Sequence, residues 1–496
     1  MFVLENGRLI DGTGAPARPG SVLIEGDRIR DAGTFDPPAG AERIDCAGLT
    51  VTPGFIDAHS HSDLQVLQSR REKVLQGVTS EVVGNCGFSA FPAPADRRPL
   101  YEFANGILFG DDRWGWARAA EYLETARREA RYANVFPLVG HGTLRVARAG
   151  HRLGKLPEAD VSAMEGMLDE ALAEGAAGFS TGLMYSPGES APFEELERLC
   201  RVVARRGKVY ATHMRNYEAA LVPAINEQLE LARRAGCRLQ ISHMQAVGPA
   251  NWPRQQEALD LIEKARAEGV DVAFDCYPYV AGSTVLTQLL PQWALGGGVD
   301  AMLERFADPV ERARIEAQTE PSQGWSNIYI SAVGSRANQG LVGRNLEAIA
   351  AERGKAPQTA AVDLLIEERG DVNMLEFNQS EENLRQTLTH PLSNVISDGF
   401  YVKGKPHPRL HGAFAFLLGE ICRERGWMTL EEAVHKTTDV PARRFGMEKR
   451  GRLAPGWFAD IAVFDAAAVG SPANYDHPQA DPVGIHHVFR NGRAML

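Results

Sequence analysis

The chain has 496 residues, with 53 lysines and arginines against 64 aspartates and glutamates, which gives a formal net charge of −11. Hydrophobic residues make up 44% and charged residues 24%, proportions typical of a folded globular protein, so disordered, collagen-like and coiled-coil classes are excluded. The negative charge disfavours nucleic acid as a partner. Because there is no apolar run of about 18 residues and no signal-peptide pattern, we expect a cytoplasmic protein without a membrane partner.

Short strand-like runs alternate with turn residues at both ends of the chain. Near the N-terminus, Asn6-Gly7 separates two apolar runs and predicts a tight hairpin, and residues 21–29 repeat the pattern. Residues 460–465 and 487–493 show the same alternation of short strand-like runs and turn residues. Because chain termini often lie close together, we predict one small β-sandwich domain built from residues 1–53 and 448–496.

Residues 54–447 alternate apolar runs with amphipathic helical stretches such as 156–174 and 217–235. This alternation predicts βα units, and eight of them predict an α/β fold of the TIM-like (β/α)8 type, with functional groups at the C-terminal strand ends. The gap between the seventh and eighth strands is too long for one connection, so we predict an inserted subdomain, residues 284–344, near the active site. The eight strands are expected to end near His59/His61, Cys86, His141, Tyr185, His213, His243, Cys276/Tyr277 and Asp398.

Histidines follow several of these predicted strands. His59 and His61 are two residues apart, so on a strand they face the same way, while His213 and His243 each end an apolar run. Asp398 adds a carboxylate at the eighth strand. A single histidine of this kind is more often structural, but four at one face of a barrel favour a site for zinc or another borderline metal.

These residues stand in the order found in the amidohydrolase superfamily, which the chain resembles over nearly its whole length. More closely, the chain is similar to the N-acyl-D-amino-acid deacylases, also called D-aminoacylases. The motifs that carry this resemblance are Gly84-Asn85-Cys86-Gly87, Gly140-His141-Gly142-Thr143-Leu144-Arg145, Gly178-Phe179-Ser180-Thr181-Gly182-Leu183-Met184-Tyr185-Ser186-Pro187-Gly188, Thr212-His213-Met214-Arg215-Asn216, Ser242-His243, Ser397-Asp398-Gly399 and His407-Pro408-Arg409.

The resemblance implies zinc-dependent hydrolysis of the amide bond of N-acyl-D-amino acids, which releases a carboxylic acid and a D-amino acid. It implies that Cys86, His213 and His243 hold a tightly bound Zn²⁺. His59, His61 and Asp398 would form a second, weaker site, with Asp398 as the general base and acid that acts on metal-activated water. Taken alone, Cys86 is more readily a buried apolar cysteine, and a carboxylate that orients a histidine is the alternative role for Asp398.

The substrate expected from the resemblance is a small N-acyl amino acid. Arg409 offers a planar fork that matches a carboxylate, and the resemblance places Tyr185, Tyr277 and Ser283 in the same pocket. The deacylases usually carry a lysine two residues after the sixth-strand histidine, where this chain has Gln245. Because glutamine brings no charge, we expect neutral amino acids to be preferred over acidic ones, unless Gln245 only packs at the rim.

Two other functions remain as alternatives. The chain could be an amidohydrolase for another linear amide or for a cyclic amide, like a dihydroorotase or hydantoinase. Hydantoinase-like relatives bridge two metals with a carbamylated lysine at the fourth strand, and residues 182–188 contain no lysine. A non-catalytic binding protein of the same fold is the third reading, and it is disfavoured because no metal ligand is lost.

Overall fold

The computed structural model describes residues 1–109 and 114–496. Its strands, numbered along the chain, are β1 (Phe2–Leu9), β2 (Arg18–Glu25), β3 (Arg28–Gly33), β4 (Glu42–Asp45), β5 (Thr50–Pro53), β6 (Phe55–Asp57), β7 (Val78–Val83), β8 (Asn134–Gly140), β9 (Gly178–Gly182), β10 (Val209–His213), β11 (Arg238–Ile241), β12 (Val272–Cys276), β13 (Ala281–Val285), β14 (Ile328–Val333), β15 (Val372–Phe377), β16 (Ser393–Val395), β17 (Ile461–Phe464), β18 (Ile485–Arg490) and β19 (Arg493–Ala494).

The helices lie mainly between the strands of the central part of the chain. They are α1 (Arg98–Ala104), α2 (Ala119–Glu129), α3 (His141–Ala149), α4 (Glu158–Ala173), α5 (Phe193–Arg205), α6 (Leu221–Ala235), α7 (Arg254–Ala267), α8 (Gly298–Ala307), α9 (Pro309–Gln318), α10 (Leu346–Arg353), α11 (Pro357–Glu367), α12 (Glu381–Thr389), α13 (Arg409–Phe416), α14 (Leu430–Thr437) and α15 (Asp439–Arg444). A π-helix, Leu417–Glu424, follows α13. Along residues 1–109 and 114–496, every helix is too short or too polar to cross a lipid bilayer.

Eight parallel strands form a barrel in the order β6-β7-β8-β9-β10-β11-β12-β16. The first and last strands meet just beyond their ends, where the Asp398 amide donates to the His59 carbonyl over 2.8 Å and the His61 amide to the Gly399 carbonyl over 3.0 Å. This closure confirms the predicted (β/α)8 barrel. It also brings the loops after β6 and β16 together, because both loops leave the same rim.

The two chain ends build a second sheet, in the order β19-β18-β17-β5-β1-β2-β3, with β4 beside β1. The C-terminal strand β17 pairs antiparallel with β5, so that Ile461 lies opposite Pro53. Buried side chains of both ends share one hydrophobic cluster, which includes Leu9, Val51 and Phe489. The prediction that both ends contribute to one β structure is therefore confirmed.

The hairpin predicted at Asn6-Gly7 is wrong. β1 runs without a turn from Phe2 to Leu9, and its pairing with β2 shifts register between Leu4 and Gly7. Asn6 has a φ of 62°, and its side chain donates a hydrogen bond to Asp45 over 3.0 Å. A left-handed residue can make a bulge as well as a hairpin, and here a bulge forms because β1 continues beyond β4 to pair with β5.

An antiparallel sheet, β13-β15-β14, lies between the seventh and eighth barrel strands. The predicted segment, 284–344, covers only part of this excursion, because β13 begins at Ala281 and β15 returns at Val372 to pair with it. The segment has its own hydrophobic cluster, which includes Leu286 and Met302. The inserted sheet therefore has a hydrophobic core of its own. Its first strand, β13, begins shortly after β12 ends.

Candidate active site

Side chains at or just after the ends of three strands of the barrel converge at its C-terminal rim. Cys86 follows β7, His213 ends β10, and His243 lies two residues after β11. Their sulfur and ring nitrogen atoms all lie within 4.8 Å of one another. The separation of Cys86 Sγ and His243 Nε2 is 3.7 Å. The structure thus brings together the three residues that the resemblance assigned to a tightly bound zinc.

The remaining predicted ligands join the same cluster. Asp398 Oδ1 lies 3.3 Å from Nε2 of both His59 and His61. Cys86 Sγ lies 3.3 Å from His59 Nε2, and Cys86 also groups with His59 and His61 at metal-ligand spacing. The two predicted ligand sets are therefore contiguous, and the thiol of Cys86 is close enough to serve both.

Several ring nitrogens of this cluster form no hydrogen bond with the described residues. Both ring nitrogens of His213 are buried without a hydrogen bond in the described part of the chain, and so is Nδ1 of His59, His61 and His243. Buried polar atoms are normally satisfied, and orphaned imidazoles beside a thiol are costly unless a ligand binds them. A thiolate with two imidazoles is a donor set that zinc favours, so these residues fit the metal that the resemblance implies.

The backbone at the cluster is strained. Cys86, His243 and Asp398 have φ values of 52°, 35° and 49°, in the left-handed region that side chains other than glycine and asparagine avoid. Each such backbone conformation has a free-energy cost of about 1–3 kcal/mol and persists only where the surrounding structure fixes it. The His243 amide donates to Asp275 Oδ1 over 2.6 Å, and barrel closure fixes the Asp398 amide. Strain at three predicted ligands supports a functional role for this rim.

The charges of the cluster favour an ionised thiol and an ionised carboxyl. Burial raises the pKa of the Cys86 thiol, but the charge of His59 and the hydrogen bond to His243 bring that pKa well below its usual value. Burial likewise opposes ionisation of Asp398, yet Arg409 and His59 hold the pKa of its carboxyl well below the usual range. Both groups are therefore available as anions to a bound cation.

A cavity of about 210 Å³ opens above the cluster. Arg409 begins α13 and lines this cavity with only 1% of its surface exposed. Its Nη2 lies 3.0 Å from Asp398 Oδ2, and its guanidinium stacks 4.4 Å from the ring centre of Tyr277. The Nε and Nη1 atoms of Arg409 are buried without a hydrogen bond among the described residues. These two N–H groups can therefore donate hydrogen bonds to a ligand in the cavity.

The other residues predicted for the substrate also line the cavity. The hydroxyl of Tyr277 donates to Gln245 Oε1 over 3.1 Å, so Gln245 faces the cavity and is held there. Tyr185 shares a hydrogen bond of 3.1 Å with Thr284. The Ser283 hydroxyl donates to the Met374 carbonyl over 3.2 Å, so it is already engaged. Their roles toward a substrate stay predictions.

His141, which the sequence places at the third strand, lies outside the cavity wall. It is the first residue of α3, and its Nε2 lies 2.8 Å from Glu195 Oε1. Arg145 is fully buried and also approaches Glu195, at 3.4 Å. This buried network joins the start of α3 to α5.

Sequence reasoning missed the acidic side of the cavity. Glu376 on β15, Glu218 in the loop after β10, and Glu320 after α9 all line it. None of them belongs to a motif of the family, and two come from the inserted segment. The one signal in the sequence was Glu376, the single charged residue in the run 372–377.

Comparison with known proteins gives matches over the whole chain. The model of the amidohydrolase family matches residues 42–495. The N-acyl-D-glutamate deacylase of Alcaligenes xylosoxydans xylosoxydans is 38% identical over 497 residues, which cover 100% of this chain and 93% of the relative. The D-aminoacylase of the same organism is 35% identical and covers 99% of this chain and 93% of the relative.

A solved structure agrees with these matches. N-acyl-D-glutamate deacylase from Bordetella bronchiseptica, complexed with zinc and a phosphonate inhibitor, is similar to this chain with a TM-score of 0.86 and 35% identity. The match covers 100% of this chain and 96% of the other. The chain therefore belongs to the amidohydrolase family, in its branch of N-acyl-D-amino-acid deacylases.

Proposed function

We propose that this protein is a zinc-dependent hydrolase that cleaves the amide bond of N-acyl-D-amino acids and releases a carboxylic acid and a D-amino acid. The observation that carries the proposal is the cluster of Cys86, His213 and His243 beside Asp398, on the floor of a cavity that Arg409 also lines. The relatives named above support it, since they are deacylases of N-acyl-D-amino acids and one was solved with zinc.

Cys86, His213 and His243 would hold the tightly bound zinc, and His59, His61 and Asp398 would hold a second, weaker ion. When bound, zinc lowers the pKa of a water molecule and polarises a carbonyl group. The orphaned ring nitrogens of these histidines support the assignment.

Asp398 is proposed to move the proton. Its carboxyl stays ionised because Arg409 and His59 lower its pKa, so Oδ1 can accept a proton from the attacking water. The same oxygen then delivers that proton to the amide nitrogen, which leaves as an amine. Oδ2 cannot take this role as readily, because it accepts from Arg409 Nη2 at 3.0 Å.

Arg409 is proposed to bind the carboxylate of the substrate. Its Nε and Nη1 form no hydrogen bond among the described residues, so the guanidinium can donate to that group while Nη2 stays on Asp398. The contact with Asp398 fixes the substrate carboxylate relative to the proton acceptor. Tyr277 keeps the guanidinium in place by stacking on it and by anchoring Gln245.

A hydrolysis panel tests this function. Purified protein supplied with zinc is offered the D and L forms of N-acetyl-methionine, N-acetyl-leucine and N-acetyl-phenylalanine, together with the cyclic amides dihydrouracil and hydantoin. We expect release of acetate and free amino acid from D forms at rates far above those from L forms, and no ring opening. Ring opening without deacylation, or a preference for L forms, would contradict the proposal.

A further inference from the structure

The cavity has one strongly acidic side, which we name the acidic wall: Glu218, Glu320 and Glu376. The three carboxylates come from separate parts of the chain: Glu218 lies in the loop after β10, Glu320 is an exposed residue after α9, and Glu376 lies on β15. Arg409 is the only lysine or arginine among the cavity-lining residues that the structure describes, and it already pairs with Asp398. The cavity therefore places three carboxyl groups on the side that is not committed to the metal cluster.

Glu376 is the central residue of this wall. Its Oε2 accepts a hydrogen bond of 2.8 Å from Gln323 Nε2. Its Oε1 packs against Gly282: a Cβ atom added to that glycine would lie 3.2 Å from the oxygen. Gly282 precedes Ser283, whose carbonyl is 3.4 Å from Arg409 Nη2. The carboxylate of Glu376 thus lies on the cavity face of the inserted sheet, near the guanidinium but not in contact with it.

The charge of Arg409 lowers the pKa of the Glu376 carboxyl, but the two groups form no ion pair. In the described residues, no lysine, arginine or histidine forms an ion pair with Glu218, Glu320 or Glu376. Glu218 is instead held by the Ser322 hydroxyl at 2.8 Å. Burial raises the pKa of the Glu376 carboxyl to about 7, and the charge of Glu218 adds to this shift. A cation that entered the cavity would relieve both the desolvation and the repulsion.

A second and independent observation shows how a ligand would be oriented. Arg409 is nearly fully buried, and its unpaired Nε and Nη1 face the same cavity. Suppose that the α-carboxylate of a substrate binds Arg409 and that its amide lies at the metal cluster. The other walls of the cavity can then contact only the side chain and the acyl group of that substrate. Gln245 faces the same cavity and carries no charge, so Arg409 is the one lysine or arginine among the described residues that line it.

We propose that the acidic wall binds a positively charged side chain, an alkylammonium or guanidinium group, so that the substrates are N-acyl derivatives of basic D-amino acids. This inference rests on the proposed function and names its substrate class. The ammonium or guanidinium donates to Glu376 and Glu218, while the α-carboxylate binds Arg409. An amine on the acyl side of the substrate could supply the same chemistry, so the test separates these two sources.

The test compares substrates that differ in charge but little in shape. kcat/KM is measured for N-acetyl-D-lysine, for N-acetyl-D-norleucine, which lacks only the ammonium, and for N-acetyl-D-glutamate. Because hydrogen bonds to charged groups are stronger than neutral ones, we expect the lysine derivative to exceed the norleucine derivative by ~10-fold or more. The glutamate derivative is expected to be the poorest, since its second carboxylate meets the acidic wall.

Variants test whether the acidic wall causes the preference for the lysine derivative over the norleucine derivative. Glu376→Gln and Glu218→Gln should each lower the ratio of kcat/KM between the lysine and norleucine derivatives, by about 10-fold for Glu376. Glu304→Gln is the matched control, because it removes the same charge from an exposed position on α8 outside the cavity wall. It should leave the ratio as in the wild type. An unchanged ratio in Glu376→Gln would overturn the assignment.

Other outcomes are also decisive. If norleucine and lysine derivatives are hydrolysed equally well, the cationic substrate class is wrong while the deacylase function stands. If glycyl-D-norleucine is preferred over both, the wall binds an amine of the acyl group and the proposal about the side chain is overturned. If no N-acyl-D-amino acid is hydrolysed at all, the proposed function fails and this inference fails with it.

Discussion

Replacing Cys86 by alanine is expected to remove the tightly bound zinc and abolish turnover. The thiol is the one ligand shared by the groupings with His213 and His243 and with His59 and His61, so its loss damages both metal positions. Mutation of a residue that only hydrogen-bonds to a metal ligand typically lowers metal affinity or activity by about 10- to 100-fold. Loss of a ligand itself should have a larger effect. Zinc content by atomic absorption and hydrolysis of an N-acetyl-D-amino acid measure the two effects.

The control for this variant is Cys200→Ala. Cys200 on α5 is also fully buried, so its replacement leaves a cavity of the same kind but touches no residue of the cluster. It should keep both zinc and activity. If Cys86→Ala retained its zinc as Cys200→Ala does, Cys86 would be a packing residue and the assignment of the metal ligands would fail.

Replacing Asp398 by asparagine should lower kcat by at least ~10²-fold, the low end for the loss of a general base, while the tight zinc remains. Asparagine has nearly the same shape, but its amide cannot accept the proton from water. The zinc should stay because Asp398 is not part of the Cys86, His213 and His243 grouping. Steady-state kinetics together with zinc analysis of the same preparation test both parts.

Asp169→Asn controls for the change from acid to amide, because Asp169 lies on the outer surface of α4 and pairs with Arg206. Its kcat should match the wild type. Near-normal kcat in Asp398→Asn would mean that another group moves the proton. Loss of zinc in that variant would mean that Asp398 acts as a ligand to the tight site.

The barrel could be predicted because its signal is repeated along the sequence. Apolar runs alternate with helical stretches, and each observed strand of the barrel ends within a few residues of the position expected from a polar residue, as at His213 and Cys276. The histidines could be placed at one rim for the same reason, since parallel strands carry their C-terminal ends to one face. The hairpin at Asn6 failed because a left-handed residue is compatible with both a bulge and a turn, and pairing partners far along the chain decide between them.

The cavity wall could not be predicted, because it is made by tertiary contacts of residues without a local pattern. Glu218 and Glu376 are 158 positions apart by their numbering and meet only because the inserted sheet packs over the rim. The left-handed backbone of Cys86 and His243 was equally hidden, since it depends on partners such as Asp275 on another strand. Motifs therefore indicated the candidate metal ligands, while the acidic residues of the cavity required the fold.

The most direct test of this account is a zinc titration of the metal-free protein, followed by hydrolysis of N-acetyl-D-methionine and N-acetyl-L-methionine. Metal is removed with a chelator, and the rate is measured as zinc is added back. The account predicts that the rate with the D form rises with zinc and saturates near a single tightly bound equivalent per chain, while the L form stays unreactive. Full activity in the absence of zinc, or zinc binding that restores no hydrolysis of the D form, would contradict it.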